Sequence, residues 1–124
     1  MPGPVYRSLA AEAAGIWKDG KLLDKDGVGT LLVRRGAEWF VGRSATPAWR
    51  QRGDLVFRGP SSEAFCRIAA GSSPTVYRGN TSTPLYQLRG DALLRANGRD
   101  VVVRGPGLTT EELVMAALAF EPPA

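Results

Sequence analysis

Three short polar pieces hold the side chains best suited to chemistry: Val41-Gly42-Arg43-Ser44, Gly59-Pro60-Ser61-Ser62-Glu63 and Gly79-Asn80-Thr81-Ser82-Thr83. They combine a guanidinium, hydroxyls and a carboxamide, groups that hold a ligand by hydrogen bonds rather than break its bonds. The ordinary catalytic equipment is missing. The chain has no histidine for general acid-base work and one cysteine, Cys66, with no imidazole to activate it. Asp54, Glu63, Asp91 and Asp100 are scattered, and no phosphate-cradling P-loop is written. A thiolate–imidazole zinc cluster cannot be assembled. Asp24-Lys25-Asp26-Gly27 lacks the further oxygens and the closing glutamate of a hand-type calcium loop. No metal and no cofactor is expected.

A chain of 124 residues, 44% hydrophobic and 23% charged, suits one folded domain able to bury a real core. The single cysteine excludes an internal disulfide and fits a reducing cytoplasm. The first residues lack the pattern of a signal peptide, and no run approaches the ~18 apolar residues of a membrane span. Net charge is +4, unevenly placed: residues 27–104 hold twelve arginines against five acids, while all three lysines precede position 26. Arginine suits forked contact with phosphate or carboxylate, so an anionic partner is one explanation. The weightier one is that a GC-rich genome writes Ala-, Gly- and Arg-rich chains.

Elements must position these pieces. Val5, Leu9, Ala13, Ile16 and Trp17 fall at helical spacing and predict a short N-terminal helix over 5–17. Residues 18–30 read as a connection around Leu22-Leu23, with room for a two-residue strand in it, and 45–53 as a surface loop anchored by Trp49. Between and beyond them lie strands with turn signals at close spacing: the hairpin Leu31–Val41 about Arg35-Gly36, strands at 54–58, 64–70, 75–78 and 85–88, and a hairpin at 93–104 about Asn97-Gly98. In the strand at 64–70, Cys66, Ile68 and Ala70 share an apolar face, so Cys66 is expected to pack as a small hydrophobe. Thr109 and Glu112 have capping-box spacing, and Leu113, Val114, Ala117, Leu118 and Phe120 give the following helix an apolar face for one edge or end of the β structure. No internal repeat is evident.

In order and spacing these features resemble the forkhead-associated (FHA) domain, a small β-sandwich that binds phosphothreonine peptides. The resemblance covers about residues 28–105 and is carried by Val41-Gly42-Arg43-Ser44, Asp54-Leu55-Val56-Phe57, the segment Ser62 to Ile68, Gly79-Asn80-Thr81-Ser82-Thr83, and Leu94 to Gly105. It implies an antiparallel β-sandwich over that span; outside it, the residue patterns give residues 1–27 as an N-terminal helical segment and connection and 106–124 as a C-terminal helix packed on the sandwich. It also implies a phosphopeptide site made by Arg43, Ser44, Ser62, Asn80 and Thr81. Arg43 would fork the phosphate, Ser44 and Ser62 would donate to it, and Asn80 would hold the peptide backbone. The family histidine is Phe65 here, Glu63 stands where a base is usual, and Thr81 replaces a glycine. A glutamate beside a phosphate repels it, so the implied site is partly degenerate.

The expected function is therefore a non-catalytic protein-interaction module with a protein or phosphopeptide partner, of the kind used in signalling. The alternative is a basic β-domain binding nucleic acid, drawing on the arginines and on Trp39, Trp49, Tyr77 and Tyr86 as stacking rings. An enzyme ranks last.

Overall fold

Strand after strand, this chain turns back on itself until the last pairs with the first. The computed structural model describes residues 3–8, 10–42, 44–59, 61–69, 75–79, 81–96 and 99–120. Twelve strands follow in order: β1 (Gly3–Arg7), β2 (Gly15–Lys18), β3 (Lys21–Asp24), β4 (Thr30–Arg35), β5 (Glu38–Val41), β6 (Trp49–Arg52), β7 (Leu55–Arg58), β8 (Ala64–Ala69), β9 (Thr75–Arg78), β10 (Pro84–Arg89), β11 (Ala92–Arg95) and β12 (Val101–Arg104). Each pairs antiparallel with its chain neighbour, and β1 pairs with β12 through Tyr6↔Arg104 and Arg7↔Val103, so the sheet closes into a barrel. One helix, α1 (Thr110–Phe120), follows β12.

Two expectations are corrected. The architecture is mainly β, but it is a closed barrel and not a β-sandwich, and it carries one helix and not two. The N-terminal stretch read as helical forms β1 and β2, which pair through Gly3↔Trp17, Pro4↔Ile16 and Val5↔Gly15. The helical spacing of its apolar residues is overridden because β1 is needed to cover the edge of β12; closure removes both exposed edges of the sheet. Trp49, read as the anchor of a surface loop, opens β6, and Leu22-Leu23 lies within β3.

The helix is the second departure from expectation. Leu113, Val114, Met115, Ala116, Ala117 and Leu118 are six consecutive buried residues, none more than 2% exposed. A helix buried all round does not lie on a surface. It joins one core with Val5, Trp17, Leu22, Leu32, Trp39, Trp49, Val56, Cys66, Val76, Tyr86, Leu93 and Val103, which the twelve strands turn inward. Barrel diameter grows with strand number: about eight strands can be filled by side chains alone, whereas twelve leave a lumen. A helix with side chains is ~10–12 Å across and fills it. Met115 and Ala116, which complete the apolar circumference, are the residues that distinguish this plug from an edge-covering helix.

Barrel register exposes a repeat. The inward residues of the odd strands, Val5, Leu22, Trp39 and Val56, recur every 17 residues; Val76 follows after 20 and Leu93 after another 17. The same intervals separate Gly15, Leu32, Trp49, Cys66, Tyr86 and Val103 on the even strands. The barrel is thus six copies of one hairpin, written most plainly as Val5-Tyr6-Arg7-Ser8, Val56-Phe57-Arg58-Gly59 and Val76-Tyr77-Arg78-Gly79. The fourth residue of each has positive φ, 52° at Ser8, 53° at Gly59 and 57° at Gly79, the left-handed geometry that turns the chain out of the strand.

The even-strand inward position also shows how the plug is accommodated. Five copies place a side chain there, but β2 has Gly15, where a Cβ would stand 2.7 Å from the Leu23 carbonyl oxygen and 3.1 Å from Cζ of Phe120. The missing side chain makes room for the last residue of α1.

Truncating the plug should be costly and truncating the surface should not. Leu113→Ala is expected to lose about 2–5 kcal/mol in urea unfolding. Val28→Ser, at a site 84% exposed, should stay within about 0.5 kcal/mol of the parent.

Candidate functional site

The barrel has two mouths. Connections β2–β3, β4–β5, β6–β7 and β10–β11 are tight tips at the mouth where α1 begins; connections β1–β2, β3–β4, β5–β6, β7–β8, β9–β10 and β11–β12 ring the mouth where α1 ends. At the entry mouth the first turn of α1 is capped and one of its acids is paired. Thr109 Oγ1 accepts the Glu112 N–H at 3.1 Å and Glu112 Oε1 accepts the Thr109 N–H at 2.9 Å, the capping box read from sequence. Arg34 Nη1 stands 2.9 Å from Glu111 Oε1 in the first turn, with its guanidinium 5.3 Å from the Trp39 ring centre.

At the exit mouth the repeat sets one residue per odd strand on the inner face of the rim: Arg7, Asp24, Val41, Arg58, Arg78 and Arg95. Directly opposite residues in a ladder share a face, and these lie opposite Val103, Gly15, Leu32, Trp49, Cys66 and Tyr86, all inward. In barrel order β7, β9, β11 and β1, four arginines therefore form an unbroken arc. Arg7 lies 5.7 Å from the Phe120 ring centre, and Arg58 borders a notch with Leu118 and Ala119, so the two ends of the arc flank the C-terminal end of α1. That end carries the negative pole of the helix dipole, and α1 has no basic residue in its last turn.

A second set of arginines is spent on the fold. Arg50, Arg67 and Arg104 project from even strands onto the aromatic residue opposite: Phe57 at 5.4 Å, Tyr77 at 4.4 Å and Tyr6 at 4.5 Å. Each also donates to a connection at the exit mouth, Arg50 Nε to the Gly59 carbonyl at 2.7 Å, Arg67 to Thr81 at 3.2 Å and Arg104 to Ala10 at 2.6 Å. They are cross-ties between strand and turn.

Of the five residues singled out by sequence, Ser44, Ser62 and Thr81 fall on the β5–β6, β7–β8 and β9–β10 connections, successive round the exit mouth. Arg43 and Asn80 lie outside the described residues. Ser44 is exposed, but its Oγ accepts the Thr46 N–H and donates to the Thr46 carbonyl, each at 3.2 Å. Thr81 turns its hydroxyl to the Arg78 carbonyl and accepts the Thr83 N–H. Ser62 is exposed and borders a shallow outer depression with Glu38, Arg50, Arg52 and Phe57. The connections are therefore gathered at one end, while two of the three described hydroxyls are turned to their own backbone. Phe65, in the family's histidine place, packs edge-on to Trp49 with ring centres 5.1 Å apart. Sequence reasoning missed the rim arginines Arg7, Arg58, Arg78 and Arg95; the 17-residue interval was the signal that finds them.

Other reactive groups are withdrawn. Among the described residues no three His, Cys, Asp or Glu side chains are grouped to hold a metal ion. Asp24 accepts the N–H groups of Asp26, Val28 and Gly29 at 3.1, 3.2 and 3.0 Å, so its carboxylate organises its own turn. Those bonds, the one from Val28 foremost, hold its pKa below the usual value. Cys66 is fully buried in the lumen, and burial pushes its thiol up to about 12.

Two outcomes follow. Cys66 in the native protein should react with a thiol reagent at mildly alkaline pH only at the rate of unfolding, and rapidly in denaturant. Because Asp24 has a lowered native pKa, its contribution to stability is complete above the ordinary carboxylate range and disappears as pH falls through the lowered value. Asp24→Ala should therefore lower the unfolding midpoint at neutral pH and weaken its fall below about pH 4.

The comparisons with known proteins add no name to this geometry: no family model, no curated protein and no solved structure matches the chain.

Proposed function

We propose that this protein is a non-catalytic interaction module whose partner is an acidic or phosphorylated protein segment bound at the exit mouth. The observation that carries the reading is the arc of Arg58, Arg78, Arg95 and Arg7 on the inner rim. The repeat does not fix arginine at that place, since the same position is Asp24 in one copy of the hairpin and Val41 in another. The arc continues a basic sector: residues 49–95, from β6 to β11, hold seven arginines against Asp54, Glu63 and Asp91. Guanidinium groups favour forked contact with carboxylate and phosphate. Glu12, Glu63 and Asp100 lie on three of the connections at this mouth, where like charge disfavours an anionic group, which favours a slender segment entering between them over a broad surface.

The nucleic-acid alternative is weaker on one specific count. Of the four rings that would stack on bases, Trp39, Trp49 and Tyr86 are buried, and Arg67 lies over Tyr77. Stacking platforms for single strands need open ring faces.

Binding of labelled acidic and phosphothreonine peptides, followed by fluorescence anisotropy, tests the reading. Arg58→Gln with Arg78→Gln should weaken binding by about tenfold or more, as expected for loss of two charge-assisted contacts. A single-stranded oligonucleotide that binds more tightly than any peptide, with a steep linear dependence of log affinity on log salt, would replace the protein partner with nucleic acid. Indifference of all probes to the two substitutions would sink both readings.

A further inference from the structure

The arc is a horseshoe, and its gap has a chemistry of its own. On the β3 side the rim residue is Asp24, committed to its own turn. On the β5 side it is Val41, 53% exposed, opposite Leu32 of β4. Inside Val41 lies a notch of about 290 Å³, walled by Leu31, Ala48 and Trp49, floored by Leu118 of α1, and edged on the arc side by Arg58. Val28, 84% exposed, flanks the same gap: it borders one depression with Gly42, the residue after Val41. The two large apolar residues that the described surface exposes both stand at the break in the arginine arc.

Scattered exposed valines need no explanation. This pair adjoins a recess that reaches the plug, beside a guanidinium. Small-molecule pockets run from ~300 to 1,000 Å³, so this recess sits at or below their lower end and has room for one large side chain.

We infer that the acidic segment carries an apolar anchor, one leucine- or phenylalanine-sized side chain seated in the notch between Val41, Trp49 and Leu118, with its acidic or phosphorylated residues running along the arc from Arg58 toward Arg7. This rests on the function proposed above and specifies its partner. Charge complementarity fixes the polarity of the complex: Arg58 forms the boundary between notch and arc, so the first anionic group lies next to the anchor. Alternate strands in a sheet are ~10 Å apart, and an extended chain advances ~3.3 Å per residue. Anionic groups about three residues apart therefore match successive rim arginines. Anchors of this kind, buried in a pocket and rimmed by polar contacts, supply most of the affinity in many peptide complexes.

The test uses the full chain and two labelled acidic peptides identical except for a leucine or an alanine at the anchor, each titrated into the parent protein and into Val41→Arg. That substitution is at an exposed rim place where four other copies already carry arginine, so folding should be retained, which thermal unfolding checks. The parent should prefer the leucine peptide by roughly tenfold or more, the expected effect of burying three further carbons. Val41→Arg should abolish the preference by filling the notch, so that the two peptides bind the variant alike. Equal binding of the two peptides by the parent, or a preference that survives Val41→Arg, would overturn the anchor and leave the anionic partner standing. Failure of both peptides to bind would strike the function itself. Vesicles of anionic lipid form the third arm: if they bind more tightly than the leucine peptide, with the same dependence on Val41, the notch meets a lipid surface and the peptide anchor is wrong.

Discussion

A twelve-stranded sheet that closes on itself must fill a lumen too wide for its own side chains, and the rest of this structure depends on how that is done. The filling is α1. Its apolar circumference needs an apolar residue from every strand at matching height, and the strands supply one each. That demand explains why a 124-residue chain with three tryptophans places all of them facing inward, and why Gly15 interrupts the series where Phe120 arrives. It also explains the inertness of Cys66, which is one of the twelve wall residues and not a nucleophile in waiting.

From that packing the surface follows by pleat alone. In each odd strand the core residue, the next residue and the one after it point inward, outward and inward, so the third stands on the rim. Hence the recurrent apolar-aromatic-Arg order has three separable jobs. The apolar residue joins the core with the plug, the aromatic carries a cross-tying arginine from the neighbouring strand, and the third residue puts an arginine on the rim of the exit mouth. The excess of arginine over lysine thus has a physical content beyond codon usage, since stacking on a ring while donating to a turn carbonyl calls for a flat, many-donor cation.

How much of this was legible in the sequence can be argued from particular residues. The capping box at Thr109 and Glu112, the Leu31–Val41 hairpin and the inward face of Cys66 follow from local rules, and local rules sufficed for them. The barrel did not follow, because closure is a pairing of β1 with β12 across almost the whole chain, and no local pattern records it. The N-terminal segment shows the conflict: Val5, Leu9, Ala13, Ile16 and Trp17 have helical spacing, yet Val5 and Trp17 serve two different strands. The repeat stayed hidden for a chemical reason. Its inward position tolerates Val, Leu or Trp on odd strands and anything from Gly to Trp on even ones, because the plug's shape decides the size required. Only the interval is constant.

The resemblance to a phosphopeptide-binding sandwich drew on Gly42-Arg43-Ser44, Ser62 and Asn80-Thr81, and of these Gly42 holds a place set by the barrel. Glycines 42, 59 and 79 fall at equivalent places in successive hairpins, each with positive φ where the chain leaves an odd strand for the exit mouth. Their spacing reflects the repeat of the barrel, in a chain rich in arginine and glycine. The same geometry gathers those connections around the arginine arc and over the end of α1, with Leu118 as the floor of the notch and Phe120 beneath Arg7. The candidate site is therefore built partly from the plug itself. Any change that shifts α1 along the lumen moves the floor of the notch relative to its walls, so recognition at this mouth and packing of the core are linked through one helix.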